Sequence, residues 1–299
     1  DLKLSRGLGD VYKRQLYVVS PDGGDDTLLA TLTGGEGEVV ISTSLWSDDE
    51  SAYLAASLWA SANVLAGLPE GEVDLEASAQ FQVVDDDTTE DLGAALLLLP
   101  DSGGDGIPDL LVSDPGEDKG TFSGVYLFDG THTGTLTVDE ADAALIHEER
   151  DGLGGGLEPA GDLNQDGHDD LLVSAWGGGT YGVFGPMDSW ESVEYADFTV
   201  RGNSIAGIHS YNGDDIPDLA VGSSQEESLQ IFAGPIDSGS YDFGDADLAY
   251  PHYSIGDLNP IFVDMHGDGT ISLIGGLPLE NYSDGVYQGA LQLYDLSSP

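Results

Sequence analysis

One loop recurs along this chain, and every copy stands at the same distance from a glycine. Asp162-Leu163-Asn164-Gln165-Asp166-Gly167-His168-Asp169-Asp170 runs into the apolar stretch Leu171-Leu172-Val173. Asp101-Ser102-Gly103-Gly104-Asp105-Gly106-Ile107-Pro108-Asp109 runs into Leu110-Leu111-Val112. Poorer copies start at Ser210, with Asn212, Asp214 and Asp218, and at Asp264, with His266, Asp268 and Ser272. Eight residues before the four loop starts, in the same order, stand Gly154, Gly93, Gly202 and Gly256. A motif held at one offset this often marks a repeat architecture, which no single-core fold requires.

Extending the template upstream adds a fifth unit. With Gly37 at the glycine position, Leu45 falls at the loop start, Asp49 at its fifth position, and Tyr53-Leu54-Ala55-Ala56-Ser57 on the following apolar run. This copy is expected to lack the loop's polar residues and to keep its frame. The repeats then cover residues 37–92, 93–153, 154–201, 202–255 and 256–299, with periods of 56, 61, 48 and 54 residues between their glycines.

The order of segments inside each unit is also shared. After the loop and its apolar run comes a second strand candidate: Val125-Tyr126-Leu127-Phe128, Tyr181-Gly182-Val183-Phe184, Leu229-Gln230-Ile231-Phe232 and Leu291-Gln292-Leu293-Tyr294. Gly185-Pro186 and Gly234-Pro235 then punctuate a turn. A further segment carries Ala141-Asp142, Ala196-Asp197 or Ala246-Asp247, with Ala77-Ser78 in the earlier unit. With a strand between the glycine and the loop, each period holds about four short strands, the content of one β-propeller blade. The expected fold is all-β, a propeller of four-stranded blades with five recognisable repeats and a partial one at the N-terminus. That number suits a six-bladed ring or an incomplete seven-bladed one. Ser51 to Leu68, rich in Ala and Leu, is the best helix candidate; Gly67-Leu68-Pro69 resembles the unit-ending turns and favours strands.

Composition is consistent with this and narrows the function. No run of 18 or more apolar residues is present, and 43 glycines suit a turn-rich chain. Lys3, Arg6, Lys13 and Arg14 are four of only seven basic residues, so residues 1–15 are expected to be a non-native or disordered leader outside the propeller domain of residues 16–299. Leu16-Tyr17-Val18-Val19 and Thr27-Leu28-Leu29-Ala30 read as the last strands of a truncated unit. From residue 16 onward there are 54 acidic and 3 basic side chains, a formal charge of −51. Such a charge disfavours nucleic acid and anionic membranes as partners. It reads equally as adaptation to a saline habitat or as solvated turn residues, as in Asp85-Asp86-Asp87.

The loop chemistry points to calcium, a hard ion that takes six to eight oxygens. Asp162, Asn164, Asp166 and Asp170 offer side-chain oxygens at positions one, three, five and nine, and the carbonyl of His168 at position seven is a natural fifth donor. Gly167 stands where the chain turns sharply. The opening matches an EF-hand loop, but position twelve is Val173 rather than a bidentate Glu, and strand residues follow instead of a helix. The Asp101 loop offers Asp101, Asp105, Ile107 through its carbonyl, and Asp109, with Gly103 removing the third donor. Asn212, Asp214 and Asp218 form a third candidate set, with Asp215 in place of the loop glycine. Asp264 and Asp268 form a fourth, with Ser272 in place of the final acid. The alternative is that Asp, Asn and Gly serve only as turn residues.

These residues resemble the FG-GAP repeat of integrin alpha chain propellers and many bacterial surface proteins. Gly161 to Leu171 matches the central Gly-Asp-Leu-Asn-x-Asp-Gly-x-x-Asp-Leu pattern, whereas Leu92-Gly93 and Leu153-Gly154 stand where the family has Phe-Gly. Val112-Ser113-Asp114-Pro115 stands for Val-Gly-Ala-Pro. The resemblance implies a Ca²⁺-stabilised propeller, usually seven-bladed in integrins, with ions on one face and protein or glycan partners on loops of the other. It further implies a non-catalytic adhesion, recognition or scaffold module, extracellular or at the cell surface. With no cysteine, ions would take over the stabilising role of disulfides.

The rival reading is an extracellular propeller hydrolase or lyase, its catalytic part in upstream sequence. No Gly-x-Ser-x-Gly elbow and no His-Glu-x-x-His motif occurs; His147-Glu148-Glu149-Arg150 lacks the second His. His132, His147, His168, His209, His252 and His266 are scattered over the units, which argues against a clustered catalytic site.

Overall fold

The computed structural model of the protein describes residues 2–6, 13–18, 27–34, 40–48, 50–58, 61–84, 92–101, 105–116, 123–147, 152–176, 179–202, 204–206, 210–223, 228–251, 261–263, 272–281 and 287–295. Gly37, Asp49, Gly256, Asp264, His266 and Asp268 lie outside them. The chain divides into two compact units, residues 1–145 and 146–299. Among the described residues no helix is long and apolar enough to cross a membrane.

In the first unit, β1 (Leu2–Arg6), β2 (Lys13–Val18) and β3 (Thr27–Thr33) form an antiparallel meander. Arg14 pairs with Arg6 on one side and with Leu32 on the other. The next meander is β4 (Thr43–Ser47), β5 (Ala52–Leu58), β6 (Ser61–Ala66) and, after β7 (Gly71–Asp74) and the short helix α1 (Leu75–Ser78), β8 (Phe81–Val84). Within the helix candidate, residues 52–58 and 61–66 are therefore strand, buried along nearly all of β5 and β6. The third meander is β9 (Leu96–Leu99), β10 (Asp109–Asp114), β11 (Ser123–Phe128) and, after β12 (Gly134–Thr137) and a 3₁₀ turn, β13 (Ala143–His147).

The second unit repeats the plan. β14 (Leu153–Gly161), β15 (Asp170–Ala175), β16 (Gly179–Val183) and, after β17 (Trp190–Ser192) and a second 3₁₀ turn, β18 (Phe198–Val200) form one sheet. Another contains β19 (Ser204–Ala206), β20 (Leu219–Ser223), β21 (Ser228–Phe232) and, after β22 (Gly239–Tyr241) and a third 3₁₀ turn, β23 (Leu248–Pro251). β24 (Ile261–Val263), β25 (Ser272–Asn281) and β26 (Tyr287–Asp295) follow. Four-stranded antiparallel meanders in sequence order, repeated at this spacing, are the blades of a β-propeller.

The sequence pattern did not show that blades carry an added parallel strand. β7, β12 and β22 each leave their own meander and pair in parallel with the outermost strand of the preceding blade: β7 with β3, β12 with β8, β22 with β18. Each covers an edge whose N–H and C=O groups would otherwise be open to association. Gly71, Gly134 and Gly239 start these strands with φ of 77°, 86° and 150°. A capped turn then returns the chain to its own blade: Asp74 Oδ1 accepts from Ala77 N–H at 3.0 Å, and the Thr137 and Asp242 N–H groups donate to Glu140 and Asp245 at 2.9 and 2.8 Å.

Apolar faces of successive blades pack on one another. In the second unit Leu172 and Phe198 meet Leu219, Val221 and Phe232, with Leu163 of the loop fully buried among them. Phe198 lies 5.6 Å from Phe184 and 6.2 Å from Tyr241, ring centre to ring centre. In the first unit Ala30 and Leu32 pack on Leu54, Leu58 and Leu75.

The repeat-marking glycines within the described residues share a backbone cause. Gly93, Gly154 and Gly202 have φ of 81°, 93° and 134°, a region that side chains with a Cβ rarely enter. At Gly93 and Gly202 the chain also passes very close to its neighbours: a Cβ on Gly202 would lie 2.4 Å from Val221 Cγ1 and 2.7 Å from the Gly222 carbonyl oxygen. Gly202→Ala is expected to lower unfolding free energy by about 1–3 kcal/mol. A urea melt reads this, and an unchanged midpoint would refute it.

Candidate metal centre

The Asp162 loop is a closed network of backbone donors and side-chain acceptors. Asp162 accepts from the Asp166 and Gly167 N–H groups, both at 2.9 Å, and Asn164 Oδ1 from Asp166 N–H at 2.9 Å. Asp166 Oδ1 accepts from His168 N–H at 2.9 Å, and its Oδ2 from the Asn164 amide at 2.8 Å. Those bonds hold the Asp166 carboxyl below the usual carboxylate range, the Asn164 amide being the larger cause. Gly167 has φ of 95°, and Gln165 has φ of 65°.

The same wiring recurs in the other loops. Gly106 N–H donates to Asp101, and Ile107 N–H donates to Asp105 at 2.8 Å. In the third loop Asp214 accepts from Ile216 N–H at 2.9 Å and from the Asn212 amide at 2.8 Å. Ser210 takes the place of the first acid: its hydroxyl accepts from Asp214 N–H at 2.9 Å and donates to Asn212 Oδ1 or Asp214 Oδ1. Asp215 carries φ of 65° at the position of the loop glycine, as a residue able to adopt the left-handed region must.

Position nine behaves differently from the rest. Asp109, Asp170 and Asp218 are buried, and each accepts a backbone N–H from the glycine two residues past the third strand of its blade: Gly130 at 3.1 Å, Gly185 at 2.9 Å and Gly234 at 2.9 Å. The second carboxylate oxygen of Asp170 accepts from Leu163 N–H at 2.8 Å, and that of Asp218 from Tyr211 N–H at 2.7 Å. These acids therefore clasp the loop to the next hairpin. The clasp explains the partner glycine, because a Cβ on Gly130, Gly185 or Gly234 would lie 2.2–2.4 Å from the carbonyl oxygen of Pro108, Asp169 or Pro217. Both Gly-Pro bonds that follow are cis.

The Ala-Asp pairs, expected within a strand segment, sit on the turn just before the fourth strand. Asp142, Asp197 and Asp247 donate their N–H to Leu127, Gly182 and Ile231 carbonyls at 2.9, 3.0 and 2.9 Å. Their carboxylates accept from Asp129, Phe184 and Ala233 N–H at 2.9, 2.8 and 2.8 Å.

The earliest loop departs from its template. Leu45 lies inside β4 and pairs with Leu54, so the expected nine-residue frame has become a tight turn at Asp48, whose Oδ1 accepts from Glu50 and Ser51 N–H at 2.8 and 2.6 Å. Without the position-nine acid, which Tyr53 replaces, nothing clasps a wide loop. Trp46 instead packs on Tyr53 with ring centres 6.0 Å apart.

As donors, the loop residues suit calcium. They are oxygens only, and a backbone N–H uses one lone pair of an oxygen that has two. Asp162, Asn164 and Asp166, with the His168 carbonyl and Asp170, would hold the ion, which when bound neutralises the repulsion among the three carboxylates. As they stand, the side chains lean on the loop's own N–H groups. Among the described residues no three His, Cys, Asp or Glu groups are gathered so as to hold a metal.

Burial raises the Asp170 carboxyl to about 6 against the pull of the Gly185 and Leu163 N–H groups, and raises Glu158 in β14 to about 7. Both groups bind a proton more readily folded than unfolded. Their contribution to stability is complete below about pH 4 and is lost as pH rises through 6 and 7. In chelator, Glu158→Gln is expected to melt above the wild type at pH 7.5 and to lose that advantage at pH 4.5. A constant difference between the two would contradict this.

No family model matches the chain. Integrin alpha-7 of Homo sapiens is 30% identical in an alignment of 155 residues that covers 47% of this chain and 13% of that protein. The chain thus spans about an eighth of that relative. Among solved structures, BBS1N in complex with ARL6DN aligns with a TM-score of 0.49 and 10% identity, over 98% of this chain and 78% of that one. A protein of unknown function from Bacteroides caccae aligns with a TM-score of 0.48 and 10% identity, over 99% of this chain and 89% of that one.

Proposed function

We propose that this propeller is a non-catalytic module that binds Ca²⁺ in its blade loops and serves outside the cell as an adhesion, recognition or scaffold element. The Asp162 loop is the principal site, and the Asp101 loop, with fewer donors, is a weaker one. The observation that carries the reading is the shared wiring: in three blades backbone N–H groups fix the same side-chain oxygens at loop positions one and five. The partial identity with an integrin alpha chain supports the adhesive role.

Extracellular calcium modules bind at roughly 10⁻⁴–10⁻³ M, and loops with incomplete donor sets suit that range. Equilibrium dialysis against ⁴⁵Ca is expected to show saturable binding in that range, with the tightest site abolished by Asp166→Ala in a protein that still folds. Absence of saturable binding, or binding indifferent to Asp166→Ala, would defeat the proposal. Screening for glycan hydrolysis or elimination, with Asp162→Ala as a loop control, tests the enzymatic rival.

A further inference from the structure

Trp176 directly follows β15 and is 45% exposed. What lies beneath the indole distinguishes it. A Cβ on Gly155 would stand 2.2 Å from the indole Nε1, and one on Gly152 would stand 2.8 Å from Cε3, so the ring rests directly on glycine backbone. That floor is shaped by a bulge: the pairing of β14 with β15 steps from Leu153 opposite Ala175 to Gly156 opposite Ser174, leaving Gly154 and Gly155 unpaired. Gly155 and Trp176 both donate their N–H to the Gly152 carbonyl, at 3.1 and 3.3 Å, which ties floor and ring together.

Glycines in a strand weaken it, and they recur where a bulge or a close approach requires them. Bulges, in turn, re-aim side chains. Here glycine backbone seats the indole closely and leaves Trp176 nearly half exposed to water.

The charge of the chain selects what would cover it. With 56 acidic and 7 basic residues, the protein's field repels anions and concentrates cations. The indole face is the strongest aromatic acceptor for a cation, most often a guanidinium. From this geometry we infer that Trp176 on its glycine floor is a docking platform for an arginine-bearing segment of a basic protein partner. The platform lies beyond the end of β15 opposite the Asp162 loop, and the inference does not rest on the calcium reading.

The test uses the full chain in 150 mM salt with fluorescently labelled tetra-arginine amide as probe, read by anisotropy. Trp176→Leu is expected to weaken binding at least fivefold. Trp176→Phe, which keeps an aromatic face, should weaken it less than threefold. Gly155→Ala, which lifts the ring without changing charge, should match the Leu variant, and Trp190→Leu should have no effect. In the ¹⁵N-labelled unsubstituted protein, the Trp176 indole N–H resonance should shift and saturate with the peptide, a readout that needs no variant to fold. An unmoved resonance, or Leu and Ala variants that bind the peptide as tightly as the unsubstituted protein, overturns the inference. So does Trp176-dependent binding of chitohexaose without binding of the peptide, which would assign the platform to a neutral glycan.

Discussion

Addition of 10 mM calcium to chelator-treated protein is expected to raise its melting temperature by roughly 3–11 °C. The size follows from linkage: a site of 10⁻⁴–10⁻³ M affinity contributes about 1.4–2.7 kcal/mol at that concentration, and each kcal/mol moves the melting temperature of a domain this large by about 2–4 °C. The Asp162 loop should supply most of the shift, so Asp162→Ala should remove the greater part of it while leaving the chelated protein nearly unchanged. Magnesium at the same concentration should do little, because it demands octahedral geometry and dehydrates reluctantly. A melting point indifferent to calcium would leave these loops as hydrogen-bonded turns.

Asp170→Ala is expected to destabilise the protein even with no metal present. Its carboxylate takes one N–H from the loop and one from the end of the neighbouring hairpin, and both donors would lose their partner in a buried setting. At about 1–3 kcal/mol for each orphaned group, the loss is about 2–6 kcal/mol. Asp170→Asn keeps one acceptor oxygen and should lose about half as much, whereas in calcium it should still forfeit most of the ion's stabilisation. Urea unfolding of both variants in chelator and in calcium separates the two roles of the residue. Equal stability of the Ala variant and the wild type in chelator would show that the clasp contributes nothing.

Much of this architecture was legible because it is written locally. The apolar runs after Asp109, Asp170 and Asp218 are strands; the glycine eight residues before each of these loops has a left-handed φ, and Gly93 and Gly202 are crowded as well. Asp215 could be recognised as a left-handed residue from its place in the template, whereas Gln165, at loop position four, was marked only by the glycines Gly104 and Gly213 at that position in two other loops. What escaped notice is tertiary. The hydrogen bonds of Asp170 reach Gly185, and those of Asp109 reach Gly130, so their clasping role emerges only once hairpins are placed side by side. The covering strands are three or four residues long, lack an apolar pattern, and pair with partners as distant as Phe81 from Gly134. A glycine seven residues before the Ala-Asp pair, as at Gly134 and Gly239, was the available clue.

Those parallel covering strands put the repeat of sequence and the repeat of hydrogen bonding out of step. A module excised at Gly154 and Gly202 would carry β18 away from β22, which belongs to its successor. Neighbouring blades should consequently melt in concert, and grafting of blades between such proteins should succeed when the cut is moved past the borrowed strand.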